Sequence, residues 1–164
     1  EISEINNFFE ANKFMYVEPE TISFSHIFFD TEERAKSYLS KIKNVSDDNE
    51  LKNLVNTGGI VFPYQKNYSK KPYSYIVGHF GEIGAMNLFI LEKNIEDWQG
   101  PIRSSIGFHL VNVFNKTPQK QMVLDDILSE VKRDYYDQLR KKDTKTIIAN
   151  KILEYQIIDN TKAN

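Results

Sequence analysis

Hydrophobic and polar positions alternate in two stretches of the chain, and this alternation predicts β-strands. In residues 22–29, His26 shares one face with three apolar residues, and two further apolar residues lie on the opposite face. Apolar residues on both faces are typical of a central strand that is covered on both sides. Residues 100–114 predict two further short strands, and in the second of them His109 shares its face with two valines.

Apolar residues spaced three or four positions apart predict helices in the first half of the chain. Residues 4–12 are predicted to be the end of a helix, and a short helical piece is predicted at residues 51–55. Between them, Thr31 precedes two glutamates and an arginine, which is the pattern of a helix cap with an acidic first turn. We therefore predict a helix over residues 32–44.

The second half of the chain predicts two more helices and a last strand. Ser74 is predicted to cap a helix that ends near Phe89, although each of its glycines lowers helix propensity by up to about 1 kcal/mol relative to alanine. From Leu124 a helical pattern extends to about Leu153, and residues 155–158 predict a terminal strand. The polar, proline-containing segment between the two halves has no clear pattern.

The order of these elements is typical of an α+β domain with a C-terminal extension. We divide the chain into an N-terminal helix end and linker at residues 1–20, a central domain at 21–117, and a C-terminal helix and strand at 118–164. A chain of 164 residues buries roughly two thirds of its unfolded surface, which is sufficient for a stable core.

Composition and charge exclude several classes of function. The chain contains no cysteine, which excludes disulfide scaffolds, thiolate zinc sites and cysteine nucleophiles. Its 21 basic and 23 acidic residues give a net charge of −2, whereas nucleic-acid binding usually needs a basic domain or stripe. We therefore expect no nucleic acid among its partners. No apolar run approaches the roughly 18 residues of a membrane span.

Two histidines are the strongest candidates for a functional site. His26 and His109 each lie within an apolar strand, and burying an imidazole is unfavourable unless its nitrogens form hydrogen bonds. If the two strands are neighbours, the histidines satisfy each other and a hydroxyl completes the network. Two interpretations remain open, a structural pair in the core or the centre of a site. A third zinc ligand is not evident, so we expect no metal, and His79 has no evident partner.

Short motifs around these histidines resemble those of the parvulin family of peptidyl-prolyl isomerases. The sequence SHI at residues 25–27 opens the predicted domain, and GPIRSSIGFH at residues 100–109 closes it. Between them, a Phe-Gly pair at residues 80–81, LFIL at residues 88–91 and Trp98 follow in order. The ordered set is similar to the PpiC-type branch, which comprises membrane-anchored or periplasmic foldases of bacteria.

The resemblance implies a four-stranded antiparallel sheet surrounded by helices, with the two histidine strands as neighbours. It implies catalytic roles for His26, His109 and Ser104, whose hydroxyl supports the pair. No cofactor is implied, because rotation about an amide breaks no bond. Such a site holds the proline and favours the twisted amide over the planar one, whose resonance causes a barrier of about 18–20 kcal/mol.

The resemblance also implies a proline pocket, and here the chain departs from the family. The family lines this pocket with a Met and a Phe four residues apart, and the corresponding positions are Phe80 and either Ile83 or Gly84. We assign substrate binding to Phe80 and Ile83. Further apolar walls, whose alternative role is core packing, are assigned to Leu88 and Phe108. These departures predict a weaker pocket than the family's.

The function implied by the resemblance is isomerisation of X–Pro bonds in unfolded exported proteins of the cell envelope, with any anchor or signal preceding Glu1. Residues 28–33 contain no Lys or Arg, so we expect no preference for phosphorylated clients. The alternative is a parvulin fold with little or no catalysis that acts as a chaperone or interaction module. The lack of the family's central Cys or Asp in residues 56–66 supports it, and a pocket filled by Phe80 or Phe108 would favour it.

Overall fold

The computed structural model describes residues 2–95 and 97–161, with side chains as far as Tyr155. It contains two compact units. The sheet unit spans Glu18–Lys120, and the helical unit comprises the chain before and after it. In chain order the elements are α1 (Ile2–Ala11), a 3-10 turn (Lys13–Met15), β1 (Val17–Glu18), β2 (Thr21–Phe29), α2 (Glu32–Asn44), α3 (Asp48–Thr57), β3 (Asn67–Pro72), α4 (Tyr73–Phe89), β4 (Gln99–Arg103), β5 (Phe108–Thr117), β6 (Lys120–Gln121) and α5 (Leu124–Thr161).

A four-stranded antiparallel sheet forms the centre of the sheet unit, which confirms the predicted fold class. Its strand order is β3-β2-β5-β4, so β2 and β5 are the inner strands. These two strands pair with His26 opposite Val111 and Phe28 opposite His109. The register therefore places the two histidines diagonally across neighbouring strands, where their side chains point to the same face.

Helices cover both faces of this sheet. α4 packs on one face, called the α4 face, through a buried cluster that includes Phe24 and Phe80. α2 packs on the other, the α2 face, through a cluster that includes Ile27 and Leu110. Each inner strand contributes residues to both clusters, because successive side chains of a strand point to opposite faces.

Side-chain caps explain where two of the helices begin. The Thr31 hydroxyl accepts a hydrogen bond from the Arg34 N–H at 3.3 Å and caps α2, as predicted. The Asp47 carboxylate caps α3 by accepting hydrogen bonds from two N–H groups of the first turn. This cap explains why α3 is longer than the predicted piece at residues 51–55.

α4 differs from its prediction at the start and in the middle. It begins at Tyr73, directly after Pro72, so the prediction that Ser74 caps the helix is wrong. The fixed φ of proline supplies the extended residue that precedes the first turn. Gly81 adopts a φ of 72° and a ψ of 170° and divides the helix by a kink. Because only glycine adopts this conformation without strain, the residue that lowers helix propensity also makes the kink possible.

The helical unit is built from α1 and the first part of α5. Its buried core consists of Ile5, Phe9, Tyr16 and Val131. The predicted terminal strand at residues 155–158 is wrong, because α5 continues as a helix to Thr161. A helix satisfies its own backbone hydrogen bonds, whereas a strand at this position needs a neighbouring strand. In the part of the chain that the structure describes, no helix is long and apolar enough to cross a membrane.

Candidate functional site

His26 and His109 form a hydrogen-bonded pair between the inner strands. Their Nδ1 atoms are 3.0 Å apart, and Nε2 of His109 is 2.8 Å from the Ser104 hydroxyl. On the other side, Nε2 of His26 is 2.9 Å from the backbone oxygen of Gln65. The three side chains are buried. The structure thus brings together the residues to which the resemblance assigns catalysis, and adds a backbone carbonyl to them.

The Gln65 carbonyl determines where the protons lie in this chain of hydrogen bonds. A carbonyl only accepts, so His26 carries its proton on Nε2, and its Nδ1 accepts from the Nδ1–H of His109. Nε2 of His109 then accepts the hydroxyl proton of Ser104. The Ser104 oxygen in turn accepts from the backbone N–H of Ile106 at 3.3 Å. Every nitrogen of the pair is therefore satisfied while both imidazoles are neutral.

Burial makes the neutral imidazole the stable form of both histidines. It lowers the pKa of His26 to about 4, against the opposing effect of the Gln65 hydrogen bond and with a further decrease from the charge of Lys66. Burial, followed by the charge of His26, lowers the pKa of His109 to about 2. At neutral pH the pair therefore holds no acidic imidazolium proton. What the pair supplies there is a set of oriented hydrogen bonds that link β2, β5 and the Ser104 turn.

Aromatic rings enclose the pair on the α4 face. The Phe80 ring centroid lies 5.2 Å from that of His26 and 4.8 Å from that of His109. The Phe62 ring, which comes from the segment between α3 and β3, lies 4.6 Å from His26. It lies 5.2 Å from both His109 and Phe80. With Phe28, whose ring centroid lies 5.0 Å from that of His109, these two phenylalanines leave both imidazoles almost completely buried.

Gly84 allows α4 to approach the Ser104 turn closely. A Cβ atom at Gly84 would lie 2.8 Å from the Cβ of Phe80 and 3.1 Å from the Cβ of Ser104. Both distances are too short for a side chain without displacement of its neighbours. A Phe at this position, as the resemblance to the family would place it, has no room. Direct packing of α4 on the turn replaces the ring that would line a proline pocket.

The four residues predicted to bind substrate lie in different environments. Phe80 contacts the imidazoles but is fully buried, whereas Ile83 is 60% exposed on α4. Leu88 is fully buried in the core cluster of the α4 face. Phe108 packs in the cluster of the α2 face, because it neighbours His109 on the strand and points to the opposite side. Leu88 therefore lies in the core and Phe108 packs, partly buried, against the opposite face, whereas substrate contact by any of the four residues stays a prediction.

Sequence reasoning missed Phe62 and Gln65. The available signal for Phe62 was a pair of aromatic residues, Phe62 and Tyr64, within an otherwise polar segment. Gln65 contributes through its backbone oxygen, which no side-chain pattern reveals. The expectation that His79 has no partner is also wrong. Its Nδ1 lies 2.9 Å from the Tyr68 hydroxyl, and its ring stacks on Tyr64 at 4.2 Å.

A cavity of about 350 Å³ opens beside the Phe62 ring. Its lining includes His26, Ile60, Val61, Phe62 and Tyr64. Val61 is 92% exposed and Tyr64 50% exposed, so the rim of the cavity presents apolar surface to water. His109 contacts the same Phe62 ring from the buried side and does not line the cavity. Phe62 therefore stands between the open cavity and the interior of the site.

Comparison with known families agrees with this geometry. The model of the PPIC-type PPIase domain matches residues 3–129, which is more than half of the chain. The chain belongs to this family. The match confirms the parvulin resemblance. No curated protein matches the sequence significantly.

Solved structures share the fold of this PPIC-type domain at low sequence identity. One match is to a structure from work on two proteins of the human pathogen Campylobacter jejuni, the virulence factor PEB4 and the periplasmic protein Cj1289. The two are described as structurally related SurA-like chaperones. The match has a TM-score of 0.67 and 17% identity, and the alignment covers 92% of this chain and 62% of that one. The present chain thus spans less than two thirds of the length of that structure.

Two further matches are more distant. A structure of the peptidylprolyl isomerase PrsA from Bacillus anthracis has a TM-score of 0.41 and 17% identity, and covers 83% of this chain and 58% of its own. NmPin, the parvulin of Nitrosopumilus maritimus, has a TM-score of 0.37 and 17% identity, and covers 60% of this chain and 98% of its own. The family match by itself places the chain in a peptidyl-prolyl isomerase family.

Proposed function

We propose that the sheet unit is the client-binding domain of a foldase that acts mainly by holding apolar segments of unfolded polypeptides. The observation that carries this proposal is a buried imidazole pair beside an open cavity that has an apolar rim and also Lys66 in its lining. Phe62 and Phe80 cover the pair, while Val61 and Tyr64 stay in water at the cavity rim. Exposed apolar side chains grouped at a cavity are typical of binding surfaces, and this one is reached without opening the pair.

The clients we propose are unphosphorylated, exported polypeptides of the cell envelope. The segment before α2 offers no cationic side chain, and Arg34 in the first turn of α2 donates to both carboxylate oxygens of Asp30 at 2.8 and 2.9 Å. Lys66, which lines the cavity, donates to two backbone oxygens at the end of α3 at 2.7 and 3.1 Å. Recognition of a phosphate needs a cation that is available to it. The envelope location is supported by the description of Cj1289 as periplasmic and of its relatives as SurA-like chaperones.

Isomerisation of X–Pro bonds is a second candidate activity, and the intact hydrogen-bond chain favours it. His26, His109 and Ser104 retain a fully satisfied and oriented network. A site that stabilises a twisted amide needs oriented dipoles near the amide and apolar side chains that hold the proline ring. We expect this activity to be slow, because Phe62 and Phe80 cover the pair.

Both activities are measured on the same protein. Holding is followed as suppression of aggregation of a denatured reference protein, and isomerisation as NMR exchange of X–Pro bonds in unphosphorylated peptides. We expect Val61→Asp to weaken holding about tenfold, because it places a charge on the apolar rim. The matched control is Ile90→Asp, at an exposed position on the end of α4 that does not line the cavity. Equal effects of the two variants, or none from either, would refute the holding surface.

A further inference from the structure

We infer that Phe62 is a gate: its ring occupies the space in which a client's prolyl ring would contact the imidazole pair, and residues 61–64 swing outward to admit that ring. The inference deepens the proposed function and rests on it. It names Phe62 as the residue that sets how fast the site isomerises proline-containing clients. Neither the sequence motifs nor the family match assigns a role to this position.

The contacts of Phe62 identify it as the outermost ring of the enclosure. Its centroid lies within 4.6 to 5.2 Å of those of His26, His109 and Phe80. Those three side chains are buried and belong to β2, β5 and α4. Phe62, in contrast, is only partly buried and belongs to the segment between α3 and β3. Of these four rings, it is the one that moves without disturbing a helix or strand.

Hydrogen bonds fix both ends of the segment that carries Phe62. At one end, the Ile60 N–H donates to the backbone oxygen of Phe28 at 2.8 Å. At the other, Gln65 accepts from His26, and the His26 N–H donates to the backbone oxygen of Lys66 at 3.1 Å. Residues 61–64 form a short bridge between these anchors. A bridge of this kind swings out while β2 and the imidazole pair keep their positions.

A stacked ring pair holds the bridge closed at its second end. Tyr64 lies parallel to His79 on α4, with centroids 4.2 Å apart and an angle of 6° between the planes. The ring centroids of Tyr64 and Phe62 lie 5.5 Å apart, so the two rings of the bridge contact each other. Because Tyr64 is half exposed, water replaces much of its contact when the bridge opens. The contacts that hold the bridge closed are thus mainly those of its two aromatic rings.

Opening the gate connects the cavity to the imidazole pair. The cavity of about 350 Å³ already reaches His26, and two rings of its lining, Phe62 and the strand residue Phe28, separate it from His109. A prolyl ring that enters the vacated space gains the apolar contacts that Phe62 gives up. The apparent affinity for proline is lowered by the fraction of molecules that are open. The wild-type site therefore binds apolar chains at its rim and isomerises few of them.

The test compares Phe62→Ala with the wild type in the 164-residue chain. We expect Phe62→Ala to raise kcat/KM for X–Pro exchange in an unphosphorylated Ala-Pro peptide at least tenfold, measured by NMR exchange. The same peptide is expected to shift the imidazole resonances of His26 and His109 in Phe62→Ala and not in the wild type. Ile90→Ala, an exposed apolar truncation away from the cavity, is the matched control and is expected to stay within twofold of the wild type.

Phe62→Leu provides a second variant that keeps an apolar side chain in the core, and we expect about a threefold increase from it. Folded Phe62→Ala or Phe62→Leu protein that exchanges no faster than the wild type, with unshifted imidazole resonances, overturns the gate. Aggregation suppression is measured on the same samples. Loss of the gate effect with normal holding contradicts only the gate, whereas absence of holding in the wild type contradicts the proposed function.

Discussion

The two faces of the central sheet are packed in different ways. The α2 face is filled by apolar side chains such as Ile27, Leu110 and Trp98. The α4 face has a comparable apolar cluster, but it encloses two imidazoles and a hydroxyl. Among the described residues, every buried side-chain nitrogen and oxygen has a hydrogen-bond partner. The α2 face is thus held mainly by apolar packing, and the α4 face by packing around a chain of buried polar groups.

This difference shows which face is suited to carry a site. Apolar packing is non-directional and tolerates substitutions that conserve volume. Each hydrogen bond between Gln65, His26, His109 and Ser104 needs a defined distance and direction. The polar chain therefore holds two strands and a turn in one arrangement, and a client meets the same surface each time.

The largest expected effect is on the α2 face. Leu110→Ala removes a fully buried side chain, and we expect it to lower the free energy of unfolding by about 2–5 kcal/mol. Urea denaturation followed by circular dichroism measures the loss. Because no titrating group is removed, the loss is expected to be the same at pH 7.5 and pH 5. A loss that depends on pH over this range would mean that the two faces are coupled.

The α4 face is expected to be sensitive to acid. The pKa values of His26 and His109 are lowered in the folded protein to about 4 and about 2, so the unfolded chain binds more protons below pH 6.5. Stability is therefore full above about pH 6.5 and falls as the pH decreases towards 4. We expect a decrease of about 4 kcal/mol between pH 7.5 and pH 5, about 2 kcal/mol from each of the two histidines, measured by urea denaturation. His79, whose pKa is also lowered by burial and by Lys71, adds to it in the same direction.

The control for this pH dependence removes both imidazoles at once. Each single variant leaves one buried imidazole without its partner. The double variant His26→Leu/His109→Leu leaves no imidazole, so the fold is expected to survive better than in either single variant. Its stability is expected to change by less than about 1 kcal/mol between pH 7.5 and pH 5, since only the His79 share remains. A double variant as acid-sensitive as the wild type would show that other groups cause the effect.

The smallest expected effects are changes in stability at two glycines of α4, and they have opposite signs. Gly84→Ala places a Cβ against Phe80 and Ser104, and we expect it to lower stability by about 1–2 kcal/mol. At Gly78 a Cβ meets nothing within 4 Å, so Gly78→Ala is expected to raise stability by about 0.5–1 kcal/mol through helix propensity. Thermal unfolding of both variants measures the difference. A stabilising Gly84→Ala would contradict the close approach of α4 to the turn.

Residue spacing alone was sufficient to predict the strands of His26 and His109, the cap at Thr31 and the long helix from Leu124. These features depend on periodicity and on hydrogen bonds between residues near in sequence, so a local pattern contains them. The motifs at residues 25–27 and 100–109 were sufficient to predict that the two histidines are neighbours and that Ser104 supports them.

The tertiary structure alone decided which residues close the site. Phe62 lies beside the imidazoles because the irregular segment that carries it passes there, and Gln65 contacts them through its backbone oxygen. Neither residue is part of a periodic sequence pattern. Leu88 and Phe108 are apolar, as residues of a substrate pocket often are. The fold nevertheless buries Leu88 and turns Phe108 to the α2 face. An apolar side chain has the same local pattern in a core and in a pocket. Only the packing of distant elements determines whether a client can reach it.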